Sequence, residues 1–274
     1  MSEPKSSKSK GILNEDYFKE NFHHQTFRPT EMLRNYIEHF WLISWQLPTG
    51  ESYQQSVIPH PNVHVTFLKN NSHIQGIHLN KYTHTLQGKG NIIGIKFKPA
   101  GFYPFCHKVS IALRDITNQV VDIKDMFDID TAEVEQHVLS LTQVDRKITY
   151  LENQLFNENI IYDKAVPLIN EIVESIRHDK TIFKVSDICQ KFDIEQRRLQ
   201  RLFSIYVGIS AKWIINRYRI HEALEELTLN RTIDWAAFAI ELGYYDQAHF
   251  IKDFKGLIGQ TPKAYLQMIN HDKR

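Results

Sequence analysis

Residues 194–203 read Ile-Glu-Gln-Arg-Arg-Leu-Gln-Arg-Leu-Phe, and this stretch decides how the C-terminal half of the chain folds. Apolar side chains recur at the spacing of one helix face, namely Leu199, Leu202, Phe203 and Tyr206. This spacing predicts a helix whose apolar back faces a core. Another face carries long hydrogen-bond donors and no acid, namely Arg197, Gln200, Arg201 and Ser204. Such a face fits the DNA major groove, and the plain alternative is a solvated basic surface.

The same pattern occurs a second time about fifty residues further on. Residues 189–193 correspond to 239–243, and residues 199–212 correspond to 250–263. Both copies close with a Gly, then a Ser or Thr, then a Lys. Duplication of a helix-turn-helix unit is the simplest explanation of this repeat. Two such units would place two recognition helices side by side on one face of DNA.

The rest of the C-terminal half has the periodicity of helices. We expect helices over residues 165–177, 185–191, 195–206, 210–229, 233–242 and 246–257. A helix over 210–229 would be roughly 27 Å long, which is of the order of the ~34 Å between successive major grooves on one face of DNA. Asp193 and Gly243 stand where the two turns are expected, because both residue types tolerate left-handed backbone.

The N-terminal half has short alternating or branched segments that predict strands. We expect strands over residues 40–45, 63–67, 73–78, 82–86 and 93–98. Helical patterns cover residues 30–38, 102–109, 123–127, 131–141 and 144–156. A small barrel or a cupin-like sandwich with flanking helices fits this content best. The predicted fold class is therefore α+β, with a β-rich N-terminal domain and an all-α C-terminal domain.

Length and composition indicate two packed domains. The chain has 274 residues, of which 42% are hydrophobic and 12% aromatic. We expect a solvated tail over residues 1–10, a sensor or dimerisation domain over 11–156, a linker over 157–164 and a DNA-binding domain over 165–268. Because the formal net charge is only +1, affinity for DNA has to come from the local charge of the recognition helices.

Several other classes of protein lack support in the sequence. The two cysteines, Cys106 and Cys189, are far apart and indicate neither a disulfide framework nor a cysteine zinc site. The N-terminus has no apolar signal segment and no run is long enough to span a membrane, so we expect a cytoplasmic protein. Cys106 lies on an apolar helix stripe, and no nucleophile elbow or phosphate loop is present. We therefore expect no enzyme activity and no cofactor.

The fourteen histidines raise the alternative of a metal site. His60 and His64, with His73, His78 and His84 nearby, would line a barrel as cupin ligands do. However, the flanking Pro59 and Pro61 make His60 a loop residue. We therefore expect surface or pocket histidines and no metal, and we read His23 and His24 as a solvated pair.

Residues 239–255, followed by Gly259-Gln-Thr-Pro-x-x-Tyr265, closely resemble the signature of AraC/XylS-type transcriptional regulators. Residues 199–203, 208–210 and 219–223 are similar to the upstream half of the same domain. The resemblance covers roughly residues 165–268. It implies a domain of about seven helices with two helix-turn-helix units.

The resemblance also implies which residues contact DNA. The contacts of the first unit would fall on Gln196, Arg197, Arg198, Gln200, Arg201 and Ser204. Those of the second unit would fall on Gln247, Ala248, Lys252 and Lys255. The chain departs from the family at Glu195, where a Ser cap is common, and at Ala248, which offers only apolar contact. We therefore expect the first unit to dominate sequence reading.

The N-terminal segments 27–29, 56–67 and 94–102 look like the β-rich sensor domain of some of these regulators. The expected function is a promoter-binding regulator that is modulated by a small-molecule effector or by homodimerisation. The expected partners are double-stranded promoter DNA, RNA polymerase and such an effector, with no membrane. Three alternatives remain open: an effector-independent regulator whose N-terminal domain only dimerises, an enzyme domain fused to a DNA reader, and an interaction scaffold without DNA affinity.

Overall fold

The computed structural model describes residues 22–156, 160, 162–229 and 233–271. The strands are β1 (Phe22–Phe27), β2 (Ile37–Gln46), β3 (Ser52–Val57), β4 (His64–Leu68), β5 (His73–Gln75), β6 (Tyr82–Gln87), β7 (Lys89–Phe97) and β8 (Val120–Val121). The α-helices are α1 (Tyr103–Lys108), α2 (Thr131–Ser140), α3 (Val144–Leu155), α4 (Ala165–His178), α5 (Val185–Lys191), α6 (Gln196–Tyr206), α7 (Ala211–Leu227), α8 (Trp235–Glu241), α9 (Gln247–Ile258) and α10 (Pro262–His271). The predicted tail 1–10 lies outside the described residues, as do residues 157–159 and 161 of the predicted linker.

Six antiparallel strands pair in the order β1-β2-β7-β4-β5-β8, and β3 pairs with β6 in a separate two-stranded ribbon. Side chains alternate between the two faces of the sheet. On one face, the cross-strand neighbours Phe40, Ile95 and Val65 are buried in a core that also contains side chains of the helices. Because β1 and β8 are the edges of the six-stranded sheet, the described strands do not close into a small barrel, which was one of the two expected architectures.

The helical pattern at residues 30–38 was a wrong prediction. Only a 3-10 turn at Glu31–Leu33 forms there, and β2 begins at Ile37. The aromatic and branched run that follows pairs along its whole length with β1 and β7, and this pairing overrides the local helical preference. The strands β1 and β3 were missed because their sequences are mostly polar. Some of those polar side chains, such as His24 and Gln55, face an internal chamber and not solvent.

The helices from α4 to α10 make seven in the described C-terminal part, which confirms the expected count. The helix α7 is the spacer between the two units, and its 17 residues span roughly 26 Å. It begins after Ser210, whose hydroxyl accepts a hydrogen bond from the Trp213 amide at 3.2 Å. Together with the β-rich N-terminal part, these helices confirm the α+β fold class.

The first helix-turn-helix unit shares its core with the sheet. One continuous group of buried side chains runs from Leu33 through the sheet and α6 to Ile215. Gly208 packs so tightly that a Cβ there would lie 2.8 Å from backbone atoms of Leu113 and Arg114. The second unit has a separate core, to which Ile58 is the one fully buried contribution from the described N-terminal residues. The first unit is therefore packed onto the sheet, whereas the second packs mainly on itself.

One more contact fixes the first unit from outside its core. The ring of Tyr103 on α1 lies 4.1 Å, centroid to centroid, from the ring of Tyr206 at the end of α6. The Tyr206 hydroxyl donates a hydrogen bond of 2.6 Å to Asp163, within the predicted linker. The C-terminal end of α6 is thereby tied to the N-terminal part of the chain.

Candidate nucleic-acid interface and ligand chamber

The two helix-turn-helix units repeat the same turn geometry. Asp193 and Gly243 both have left-handed backbone, with φ of 46° and 73°. In each copy the next amide closes the turn on the first helix: Ile194 donates to the Cys189 carbonyl at 3.0 Å, and Tyr244 donates to Ala239 at 2.9 Å. Asp adopts this conformation at some cost, whereas Gly adopts it freely.

The helix α6 has a buried back and an exposed donor face. Leu199 and Phe203 are completely buried. The predicted DNA-contacting residues of this helix are all exposed, namely Gln196, Arg197, Arg198, Gln200, Arg201 and Ser204. The basic surface that the sequence pattern predicts is thus turned outward on one helix, where a duplex can reach it.

The helix α9 has the same construction with a weaker face. Phe250 and Phe254 occupy the places of Leu199 and Phe203, and both are completely buried. The predicted contact residues of the second unit are again exposed, namely Gln247, Ala248, Lys252 and Lys255. Where the first unit presents Arg197, Gln200 and Arg201, the second presents Ala248, the half-buried Ile251 and Lys252. The second face therefore offers fewer hydrogen-bond donors.

The two recognition helices also begin differently. An Asp246 carboxylate oxygen accepts a hydrogen bond of 2.7 Å from the His249 amide, which caps α9. Glu195 precedes α6 in the equivalent place and makes no side-chain cap bond. The departure from a Ser cap at Glu195 thus leaves the first turn of α6 without an N-cap side chain.

This difference predicts unequal costs for two matched substitutions. We expect Asp246→Ala to lower the free energy of unfolding by about 1 kcal/mol, because it removes a cap, and Glu195→Ala to change it by roughly a third of that or less. Urea unfolding of both variants, followed by circular dichroism, measures the difference. Equal losses in the two variants would show that the Asp246 cap adds no stability.

A chamber of about 1330 Å³ lies between the second face of the sheet, the β3–β6 ribbon and the helices α4 and α7. Its sheet wall carries Trp41, whose indole lies flat on Gly94. Its helical wall carries Arg177 from α4 and Arg217 from α7. The volume exceeds that of most small-molecule sites. Nothing in the local sequence around these four wall residues indicates that they share a cavity.

Eight of the fourteen histidines line this chamber. His24, His39, His60, His64, His73, His78, His84 and His221 all contribute to its wall. Burial and the nearby Lys96 lower the pKa of His64 to about 3 and that of His39 to about 4. Both rings are therefore neutral at physiological pH. The reading of His23 and His24 as a solvated pair was wrong for His24, which is half-buried in β1.

The sequence raised a metal site and a nucleophilic Cys106 as alternatives, and the structure describes the residues that each would need. Among the described residues, no three His, Cys, Asp or Glu side chains are grouped so that they could hold a metal ion. Cys106 is buried on α1, and burial raises the pKa of its thiol to about 12. A thiol that stays protonated near neutral pH is a weak nucleophile.

Comparison with known families divides the chain into two matched regions. A helix-turn-helix domain family matches residues 188–268. A family described as a domain of unknown function, DUF6597, matches residues 25–122. The first match begins within α5 and covers the rest of both units, and the second covers the strands from β2 to β8.

Relatives with assigned names are regulators of transcription. The chain is 28% identical over 180 residues to the transcriptional regulatory protein HptR of Staphylococcus aureus (strain N315), covering 57% of this chain and 71% of the relative. It is 23% identical over 176 residues to the uncharacterized HTH-type transcriptional regulator YtdP of Bacillus subtilis (strain 168), covering 59% of this chain and 22% of the relative.

Two solved structures are similar to parts or most of the chain. ToxT from Vibrio cholerae O395 is 15% identical with a TM-score of 0.35, covering 91% of this chain and 98% of ToxT. The C-terminal domain of the two-component response regulator yesN from Fusobacterium nucleatum is 28% identical with a TM-score of 0.32, covering 38% of this chain and 99% of that domain.

The chain's own features agree with these family and sequence matches. Within the described ranges, no helix combines the length and the apolar character that crossing a membrane requires. The duplicated unit, its left-handed turns and the exposed donor face of α6 lie in the part of the chain that the helix-turn-helix family matches. The chain therefore carries an AraC-type helix-turn-helix domain in its C-terminal part and is a DNA-binding regulator of transcription.

Proposed function

We propose that the chain recognises a promoter site by inserting α6 and α9 into two successive major grooves. The exposed Arg and Gln face of α6 carries this proposal, because its back is fully buried and its side chains are free to reach base edges. The spacer α7 is rigid and roughly 26 Å long, which suits two grooves on one side of a duplex. Residues 165–268 form the DNA-binding domain in this proposal.

The two helices have unequal roles in this proposal. Arg197, Gln200 and Arg201 offer the bidentate donors that distinguish guanine and adenine. On α9, Ala248 offers only contact with a thymine methyl, and Lys252 offers a point charge for a phosphate. The first unit therefore reads sequence, and the second mainly fixes the register of the protein on DNA.

The binding itself is tested by selecting genomic DNA fragments on the purified chain and titrating salt. We expect a recovered consensus and an affinity that falls steeply as the salt concentration rises, because phosphate contacts release counterions. An interaction scaffold, or an enzyme whose helical domain does not bind DNA, would recover no consensus.

The proposed partners are this promoter DNA and RNA polymerase, and the proposed place of action is the bacterial cytoplasm, where the promoter is.

The role of Lys252 gives a separate prediction. We expect Lys252→Ala to weaken binding to all sequences by a similar factor and to reduce the slope of log affinity against log salt by about one. Fluorescence anisotropy with a selected site and a scrambled site measures both quantities. The control is Lys108→Ala, which removes an exposed lysine from α1 in the N-terminal part. A change of base preference in the Lys252 variant would contradict a pure phosphate contact.

We propose further that a small molecule in the chamber modulates DNA binding. The chamber supports this because its walls come from both halves of the chain, including the spacer α7 itself. A ligand there would contact the helix that sets the distance between the two readers. A thermal-shift screen of the full chain, followed by DNA binding with each stabilising compound, tests the proposal. If no compound changes DNA affinity, the alternative holds that residues 11–156 serve only for homodimerisation.

A further inference from the structure

Arg217 is a charged side chain buried where the spacer helix meets the chamber. It lies on α7 and is 1% exposed. Its Nε donates to the Pro59 carbonyl at 2.7 Å, and one terminal nitrogen donates to a ring nitrogen of His60 at 2.8 Å. Both partners are neutral acceptors, since burial and Arg217 itself lower the pKa of His60 well below its ordinary value. Arg217 forms no ion pair with any carboxylate among the described residues.

The same end of the chamber holds more positive charge than its one deep carboxylate can balance. Glu38 lies 3.2 Å from the Lys96 ammonium and 3.7 Å from the Arg177 guanidinium. Although burial alone would raise it, Lys96 holds the pKa of Glu38 below its ordinary value, so the carboxylate is ionised. Glu38 is thus shared by Lys96 and Arg177, of which Arg177 has a second partner in Glu174, and Arg217 adds a third positive charge.

The other acids around the chamber already lie beside basic groups other than Arg217. Glu222 lies 2.5 Å from Lys180, and Asp179 lies 2.6 Å from Lys191. Glu174 pairs with Arg177 at 3.3 Å and is half exposed. Glu225 is exposed and lies 3.7 Å from His221. None of these acids pairs with Arg217, so among the described residues its buried charge has no carboxylate partner.

The sheet wall changes character along the strands. Its first cross-strand row is His39, Lys96 and His64. The next row is Trp41, Gly94 and Thr66, and the third is Ile43, Ile92 and Leu68. The three rows are two residues apart, so they extend over roughly 14 Å. The wall therefore passes from cationic through aromatic to aliphatic, and all three rows face the chamber.

We infer that the chamber takes an organic anion, whose carboxylate or phosphate group lies between Lys96 and Arg217 and whose apolar body lies along Trp41 toward Ile92. This assignment rests on the proposed function and names its ligand class. An anion supplies the charge that the buried Arg217 lacks, and charge-assisted hydrogen bonds are about twice as strong as neutral ones. Because Arg217 belongs to α7, the ligand's charged group would act directly on the spacer between the two readers.

The test uses the full chain and three probes with one body: 4-phenylbutyrate, 4-phenylbutyl phosphate and the neutral 4-phenylbutanol. We expect at least one anion to raise the melting temperature and to bind tenfold or more tightly than the alcohol in calorimetry. The comparison of the two anions shows whether the chamber prefers a carboxylate or a phosphate. Equal binding of the alcohol would overturn the assignment.

Substitutions of Lys96 and Arg217 test whether anion affinity depends on these two side chains. We expect Lys96→Met and Arg217→Met each to reduce anion affinity tenfold or more, and the rim variant Lys180→Met to leave it unchanged. Circular dichroism identifies a variant that fails to fold, and the other variant then carries the test. If neutral compounds from a general library stabilise the chain and change DNA affinity while anions do not, the ligand class is wrong but the effector function stands. If neither neutral compounds nor anions bind, both proposals fail.

Discussion

Replacing Arg201 by alanine should weaken binding to the selected promoter site by on the order of ten- to a hundredfold. The guanidinium is exposed on the donor face of α6, and loss of a bidentate base contact costs roughly 1–3 kcal/mol. The base preference at one position of the site should relax at the same time, because the unreplaced contacts carry no information about that base pair. Anisotropy titrations against the consensus and its single-base variants measure both effects.

The matched control removes the same charge elsewhere. Arg146 is exposed on α3 in the N-terminal part, and Arg146→Ala should leave specific affinity within about twofold. If Arg201→Ala binds the selected site as tightly as this control does, Arg201 reads no base. A uniform loss across all sequences would instead assign Arg201 to the DNA backbone.

Replacing Phe203 by alanine should destabilise the chain by about 3–5 kcal/mol. The ring is completely buried and belongs to the core that α6 shares with the sheet, so its removal leaves a cavity on which several elements border. This loss is a large fraction of the stability of an ordinary domain. Urea or thermal unfolding of the variant measures it.

Ile205 lies two residues further along the same helix and is 42% exposed. We expect Ile205→Ala to cost about 1 kcal/mol or less, because much of its side chain already contacts water. If the two variants lose equal stability, then the buried face of α6 is not the one that the structure shows. The pair therefore tests the orientation of the helix independently of DNA binding.

The helical half could be predicted because its signals are local and occur twice. Leu199 and Phe203 have Phe250 and Phe254 as counterparts, so each copy supports the reading of the other. The helix boundaries agree within one or two residues for most of these elements, since Ser210 and Asp246 are recognisable caps. The exposure of the predicted contact residues follows from the same periodicity. Their contacts with DNA remain predictions.

The chamber could not be predicted, because its chemistry comes together only in three dimensions. Glu38, Lys96 and Arg217 lie on three different elements, and each reads as a solvated charge in its own segment. The polar strand β1 likewise reads as a loop, although His24 points inward. Periodicity identifies apolar faces, but it does not distinguish a polar face in water from a polar face around a cavity.

The close packing of Gly208 on Leu113 has a consequence for how the duplicated units diverge. The back of α6 has to fit its own unit and the N-terminal part together, so substitutions there must satisfy two partners at once. The second unit packs almost entirely within its own core. Its buried residues are therefore freer to change, and the whole unit is freer to be exchanged with that of a relative. A chimera that imports a foreign N-terminal part should therefore disturb the first recognition helix more than the second, which Ile58 alone joins to the buried side chains of the described N-terminal part. New target sites would arise most easily through substitutions on the outward face of α6, leaving its inward face unchanged.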